Sequence, residues 1–388
     1  MPLLFDFLSG RSQSISAAEW SALLAAAKTH GVEPLHAQRV LASSARESVP
    51  ADVEPELRAI QEETTRRNGR RLRDFATVAT ALQSRGIPVI ALKGTHLVSL
   101  IYRSLATRSM VDVDLLVPAA QLAAAGAAVE ELGLRPVRPY RVSDDRVPYS
   151  AHHLPQFMKP GMSTLEVHWH VCVPRADDVA IVDEMWTRAV PARIAGVDAL
   201  VLSNEDLLLH LAIHATYNHR CEVSIRACCD IAEIVRAVAV DWDALIERAT
   251  RWNIGAGTYL VLRLARELLD AAIPDRALAA LAPRDFDPQL LQIALRGTVE
   301  PNRAGRLRHA RGVFGKLRAA KELLFIDREE LADAHNVPRS SPLVYTLYLR
   351  RAARLAGRWR EVVALHRGDG RIAAESAAID ALLRRSAR

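Results

Sequence analysis

Residues 111–117, Val111-Asp112-Val113-Asp114-Leu115-Leu116-Val117, alternate acidic and aliphatic side chains with a period of two at their start. Positions i and i+2 of a strand share a face, so Asp112 and Asp114 project together while Val111, Val113, Leu115 and Val117 turn the other way. Two neighbouring carboxylates repel unless water or a cation stands between them. The pair reads either as a solvated strand face or as ligands for a hard divalent ion, which takes carboxylate oxygens.

Working outward, Pro88–Leu92 is a short β-branched run bounded by Gly86 and Gly94, the pattern of a buried strand. Lys93-Gly94-Thr95 follows it and leads into a helix expected over Thr95–Ser104. A glycine there lets backbone N–H groups approach a phosphate, and Lys93 adds a compact charge. Arg108, four residues before Asp112, is placed either to contact a triphosphate with its planar fork or to neutralise the two aspartates. Beyond the acidic strand, Pro118 stops the run and an Ala-rich helix is expected over Ala119–Leu132, ended by Gly133. Three further strands are expected at Leu134–Val142, His152–Lys159 and Thr164–Val173. Within the last, Glu166, His168 and His170 share one face and Leu165, Val167, Trp169 and Val171 are assigned to the core. A third carboxylate from a neighbouring strand is what an Asp-x-Asp pair needs to complete a two-metal site.

These strands and helices span residues 86–202 and predict an α+β core with a mixed sheet. Residues 1–85 read as helices, over Ala17–Lys28 behind a Ser16/Glu19 capping box, over Glu33–Ala45 and over Glu56–Ser84. Residues 203–388 read as mostly helical, beginning at Ser203 and continuing through Ile225–Val238, Trp242–Trp252, Thr258–Ala272, Asp275–Leu281 and several helices after 315. The chain of 388 residues thus divides into a helical N-terminal region, the core and a helical C-terminal region.

Half the residues are hydrophobic and a quarter charged, which excludes wholesale disorder. No apolar run approaches the roughly 18 residues of a membrane span, and the N-terminus lacks the pattern of a secretory signal. Four cysteines without CxxC spacing fit a reducing cytoplasm, the expected compartment. The net charge of +6 is uneven: residues 301–388 hold 19 basic against 9 acidic side chains. Arg303, Arg306, Arg308, Arg311, Arg350, Arg351, Arg354, Arg358 and Arg360 make that stretch either a solvated helix face, the reading preferred here, or a nucleic-acid contact.

The run LKGTHLVSLIYRSLATRSMVDVDLLV (92–117) followed by LEVHWHV (165–171) resembles the uncharacterised nucleotidyltransferase family within the DNA polymerase β-type superfamily. The resemblance extends to AAKTHGVEPLHAQRVL (26–41) and SNEDLLLHLAIHATYNHRCEVSIRACCDIAEIV (203–235). It implies that Asp112, Asp114 and Glu166 ligate catalytic Mg²⁺ or Mn²⁺, and that Lys93, Gly94, Thr95 and Arg108 hold the phosphates of a nucleoside triphosphate such as ATP. Thr95 stands where the superfamily has serine. The implied reaction transfers a nucleoside monophosphate to a hydroxyl acceptor (small molecule, protein or RNA) with release of pyrophosphate. The competing expectation is a non-catalytic nucleotide-binding or nucleic-acid-interacting protein of the same fold. His210, His214 and His219 with Cys221 also suggest zinc, but an apolar helix face favours core histidines.

Overall fold

The computed structural model describes residues 2–10, 15–140, 142, 152–172, 179–219 and 224–296, with a few positions between 345 and 383. The arginines of the basic stretch, Cys221 and the helices expected after 315 lie outside the described residues, apart from short pieces of the latter.

Helices α1 (Pro2–Ser9), α2 (Ala17–Thr29), α3 (Glu33–Leu41) and α4 (Val53–Gln83) precede the first strand, and α5 (Lys93–His96), α6 (Leu122–Glu131) and α7 (Val179–Thr187) lie between strands. The expected capping box opens α2, with the Ser16 amide donating to the Glu19 carboxylate at 2.8 Å. The long α4 buries Phe75, Val78, Ala79 and Leu82, spaced at helical intervals, and these side chains lie against the sheet.

Seven strands form one mixed sheet: β1 (Ile90–Ala91), β2 (Val113–Leu116), β3 (Arg135–Pro136), β4 (Phe157–Met158), β5 (Leu165–His168), β6 (Val190–Ile194) and β7 (Val197–Val201). Their order is β3-β4-β5-β2-β1-β7-β6. The α+β architecture is therefore observed, with strands shorter than the sequence pattern suggests. Asp112 precedes β2 by one residue. The β6–β7 hairpin was not legible as strands. Its two-residue turn, Ala195-Gly196, has φ of 50° and 85°, the double positive φ that suits the twist of a hairpin.

One face of the sheet carries Val113, Leu115, Val117, Leu165 and Val167, covered by α4 and by α6 (Leu122–Glu131). The opposite face carries Ile90 and Leu116 and is covered by helices of the second half of the chain. These are α8 (Asn204–Ile213), α9 (Ser224–Ala237), α10 (Trp242–Arg251) and α11 (Gly255–Leu269). Leu4, Leu8, Trp20 and Val40 of the first helices join that same core. Both faces are thus dry, and the acidic side of β2 lies under a helical roof.

Candidate active site

Strands β2 and β5 run parallel, and their register sets Asp114 opposite Glu166 and Leu116 opposite His168. Facing positions on adjacent strands bring side chains of one face together. One ligand atom each from Asp114, Glu166 and His168 lies within 4.8 Å of the others, and all three residues are buried. The sheet itself therefore brings Asp114, Glu166 and His168 together; Asp112, the other carboxylate expected there, is not among the three.

Its hydrogen bonds are specific. His168 Nε2 stands 2.9 Å from Asp114 Oδ1 and 3.2 Å from Glu166 Oε2. Carboxylates only accept, so Nε2 carries the proton. Lys93 Nζ donates to Asp114 Oδ1 at 2.9 Å and lies 4.0 Å from Glu166 Oε2. Gln156 Nε2 donates to the other Glu166 oxygen at 2.7 Å. Lys93 reaches this position from a left-handed backbone, φ 41°, a conformation that costs an ordinary residue free energy and recurs at functional sites.

Burial disfavours the Asp114 carboxylate, but the Lys93 ammonium and the His168 hydrogen bond outweigh it and hold the group well below the usual carboxylate range. Glu166 is lowered in the same way: burial opposes, and the His168 hydrogen bond prevails. Asp112 goes the other way. Burial first, then the charge of Asp114, push it up to about 6. Among the described residues no basic group forms an ion pair with it.

That asymmetry tests whether a metal suits the site. Asp112, Asp114 and Glu166 offer carboxylate oxygens, the ligands of hard divalent cations. Asp112 faces the cleft as a largely buried acid without a paired cation. The donor set fits Mg²⁺ or Mn²⁺.

The segment leading to Asp112 is fixed from α4. Asn68, fully buried, donates to the carbonyls of Leu105 (2.8 Å) and Arg108 (2.7 Å) and accepts from the Met110 amide (3.0 Å). Arg71 Nε donates to the Val111 carbonyl at 3.0 Å. Arg108 is turned to Asp230 of α9, Nε to Oδ1 at 2.7 Å and Nη2 to Oδ2 at 2.9 Å, and Tyr102 adds a third bond to that carboxylate. Asp112 is thus not its partner. A Cβ on Gly94 would lie 3.0 Å from Met110 Cγ and 3.1 Å from Arg108 Nη1, so the glycine admits this close packing. Thr95 is buried and its hydroxyl has no hydrogen-bond partner among the described residues.

Lys93, Gly94, Arg108, Asp112 and Asp114 share a cleft of about 220 Å³ whose lining also includes His214, His219 and Arg226. His214 and His219 lie with ring centres 4.3 Å apart and planes tilted by 49°, and His210 is fully buried with both ring nitrogens unpartnered among the described residues. Burial lowers His210 to about 3, as for a neutral core histidine. Among the described residues these three do not converge as a ligand set. The role of His168 between two carboxylates was foreshadowed by the Glu-x-His alternation. Asp230, which the sequence offers as the partner of a histidine or an arginine in a structural ion pair, pairs with Arg108; Gln156 had no signal of its own, because its partner Glu166 lies on another strand.

No helix among the described residues is long and apolar enough to cross a membrane. No curated protein matches the chain. Residues 16–270, well over half the chain, match the family described as uncharacterised nucleotidyltransferase, and the protein belongs to that family.

Proposed function

We propose that the protein is a metal-dependent nucleotidyltransferase that moves a nucleoside monophosphate from a triphosphate such as ATP to a hydroxyl acceptor and releases pyrophosphate. The observation that carries this reading is the convergence of Asp114 and Glu166, with His168 between them, beside the unpaired Asp112. Asp112, Asp114 and Glu166 would hold the divalent ions. A bound Mg²⁺ or Mn²⁺ lowers the pKa of an acceptor hydroxyl and neutralises the triphosphate. The residues supply the rest by position and charge. The Asp114 and Glu166 carboxylates are kept ionised by Lys93 and His168, and Gln156 fixes the orientation of Glu166. In the transfer, the acceptor hydroxyl gives its proton to a carboxylate of the site, its oxygen bonds to the α-phosphorus as the bond to the bridging oxygen breaks, and pyrophosphate leaves with that electron pair. The helices over the sheet would limit the access of water and so favour the chosen acceptor over hydrolysis. Cys172, Cys228 and Cys229 form no disulfide among the described residues, and the cysteine pattern of the sequence suits a reducing compartment, which we take to be the cytoplasm.

One observation favours a second reading, nucleotide binding without transfer: Lys93 already balances Asp114. Turnover separates the two. Pyrophosphate release is measured with each of the four triphosphates and Mg²⁺ or Mn²⁺, with and without cell extract as acceptor source. Transfer predicts release that is lost in Asp114→Asn and Glu166→Gln. Triphosphate binding with no release under any condition supports the second reading.

A further inference from the structure

The cations around the cleft are not equivalent. Lys93 is engaged by Asp114 at 2.9 Å, and Arg108 is held by both oxygens of Asp230. Arg226, in the first turn of α9, lines the same cleft and forms no ion pair or hydrogen bond among the described residues. A Cβ on Gly31 would stand 3.8 Å from its Nη1, so the turn between α2 and α3 crowds the guanidinium on one side. Burial and the neighbouring Arg108 both disfavour its charge.

Asp112 is the complementary case, an acid in the same cleft that no basic group pairs. The two opposite charges face one cavity, and no salt bridge joins them. The Asp112 charge reaches Arg226 only through space, without a direct contact, and a half-buried charge without a close partner is costly. A single ligand compensates both if it presents a cation to Asp112 and an anion to Arg226. A metal-bound polyphosphate has that composition. The planar fork of arginine also matches phosphate oxygens in pairs, and the neighbouring His214 and His219 imidazoles offer further polar atoms.

We infer that Arg226 binds the β- and γ-phosphates of the triphosphate, and afterwards the pyrophosphate product, in the cleft that Asp112 and Asp114 also line. The inference rests on the transfer reading for the identity of the polyphosphate. It adds to that reading a residue outside the strand–turn segment at Lys93–Thr95, and it assigns Arg108 a holding role through Asp230.

The test is calorimetric titration of the full-length protein with pyrophosphate in the presence of Mg²⁺, for the wild type, Arg226→Gln and Arg226→Lys, with melting curves to show that each is folded. Loss of a charged hydrogen-bonding pair predicts pyrophosphate affinity about 10- to 100-fold weaker in Arg226→Gln. Arg226→Lys should recover part of it, and the salt dependence of binding should be shallower in Arg226→Gln. If Arg226→Gln does not fold, Arg226→Lys alone decides, since it keeps the charge and loses the fork: a several-fold loss supports the inference and wild-type affinity overturns it. Unchanged affinity in a folded Arg226→Gln overturns it and leaves the transfer reading standing. A wild type that binds neither pyrophosphate nor triphosphate overturns both. Arg226-dependent pyrophosphate binding without turnover of any triphosphate retains the phosphate site and removes the transfer reading.

Discussion

Arg108 and Asp230 face each other across 122 positions of chain and meet in a two-pronged ion pair, at 2.7 and 2.9 Å. The pair ties the segment before Asp112 to α9, and both side chains are nearly removed from solvent. Breaking a buried pair from one side leaves an uncompensated charge, at a cost of about 3–5 kcal/mol. Asp230→Ala should therefore lower the free energy of unfolding by roughly that amount, read from urea denaturation. The double variant Arg108→Met/Asp230→Leu should lose much less. Equal losses in the two proteins would show that the charge is not what matters.

Asp112 bears a cost that the fold does not offset. Its pKa rises from 3.8 to about 6, so the penalty is absent below pH 3.8 and complete above pH 6. At pH 7, Asp112→Asn should be more stable than the wild type by about 1–3 kcal/mol while losing transfer. Mg²⁺ should raise the melting temperature of the wild type and have a smaller effect on the variant. A variant less stable than the wild type at pH 7 argues against this account.

His36 predicts acid sensitivity far from the cleft. It is fully buried between Phe7 and Trp20, both ring nitrogens lack partners, and burial lowers its pKa from 6.5 to about 4. The folded state prefers the neutral ring. Its stability contribution is present above pH 6.5, declines as the pH falls, and is lost by about pH 4. The full effect is about 3 kcal/mol. His36→Phe should flatten the stability profile between pH 6.5 and 4, measured by denaturant titration at each pH; an unchanged slope would assign the sensitivity to other groups.

Gly257 lets α11 pack against the π-type turn His214–Asn218. A Cβ there would come within 2.6 Å of both Thr216 Oγ1 and Tyr217 Cε2. Thr216 is fully buried and its hydroxyl donates to the Ala212 carbonyl at 2.6 Å, so it cannot swing aside freely. Gly257→Ala should cost about 1–3 kcal/mol by overpacking and weaken ligand binding at the His214 wall. Unchanged stability would mean that the turn repacks.

The acidic centre was legible because it is local pattern twice over. Asp112-x-Asp114 and Glu166-x-His168 each declare a face, and the structure registers Asp114 against Glu166. Most helices between Ala17 and Leu281 were legible for the same reason, their boundaries shifting by a few residues where caps and turns decide, but the helix Val179–Thr187 was not expected. Long-range pairing was not. Sequence spacing places Arg108 near Asp112, yet a carboxylate from α9 takes its guanidinium. Neither could the alternation around Asp114 reveal that both sides of β2 are buried, because the covering helices come from later in the chain. The β6–β7 hairpin escaped because Val190–Ile194 is mostly exposed and lacks the apolar alternation of a half-buried strand.

Strand β1 lies between β2 and β7, and its parallel partner is Leu200-Val201. A chain emerging from the ribosome therefore carries Asp112, Asp114 and Glu166 into solvent well before the hairpin that borders their sheet has been made. The acid-bearing strands gain their covering helices only when residues beyond 203 follow. Cotranslational maturation must end with the roof, and fragments that stop short of α9 should leave Arg108 with no counter-charge.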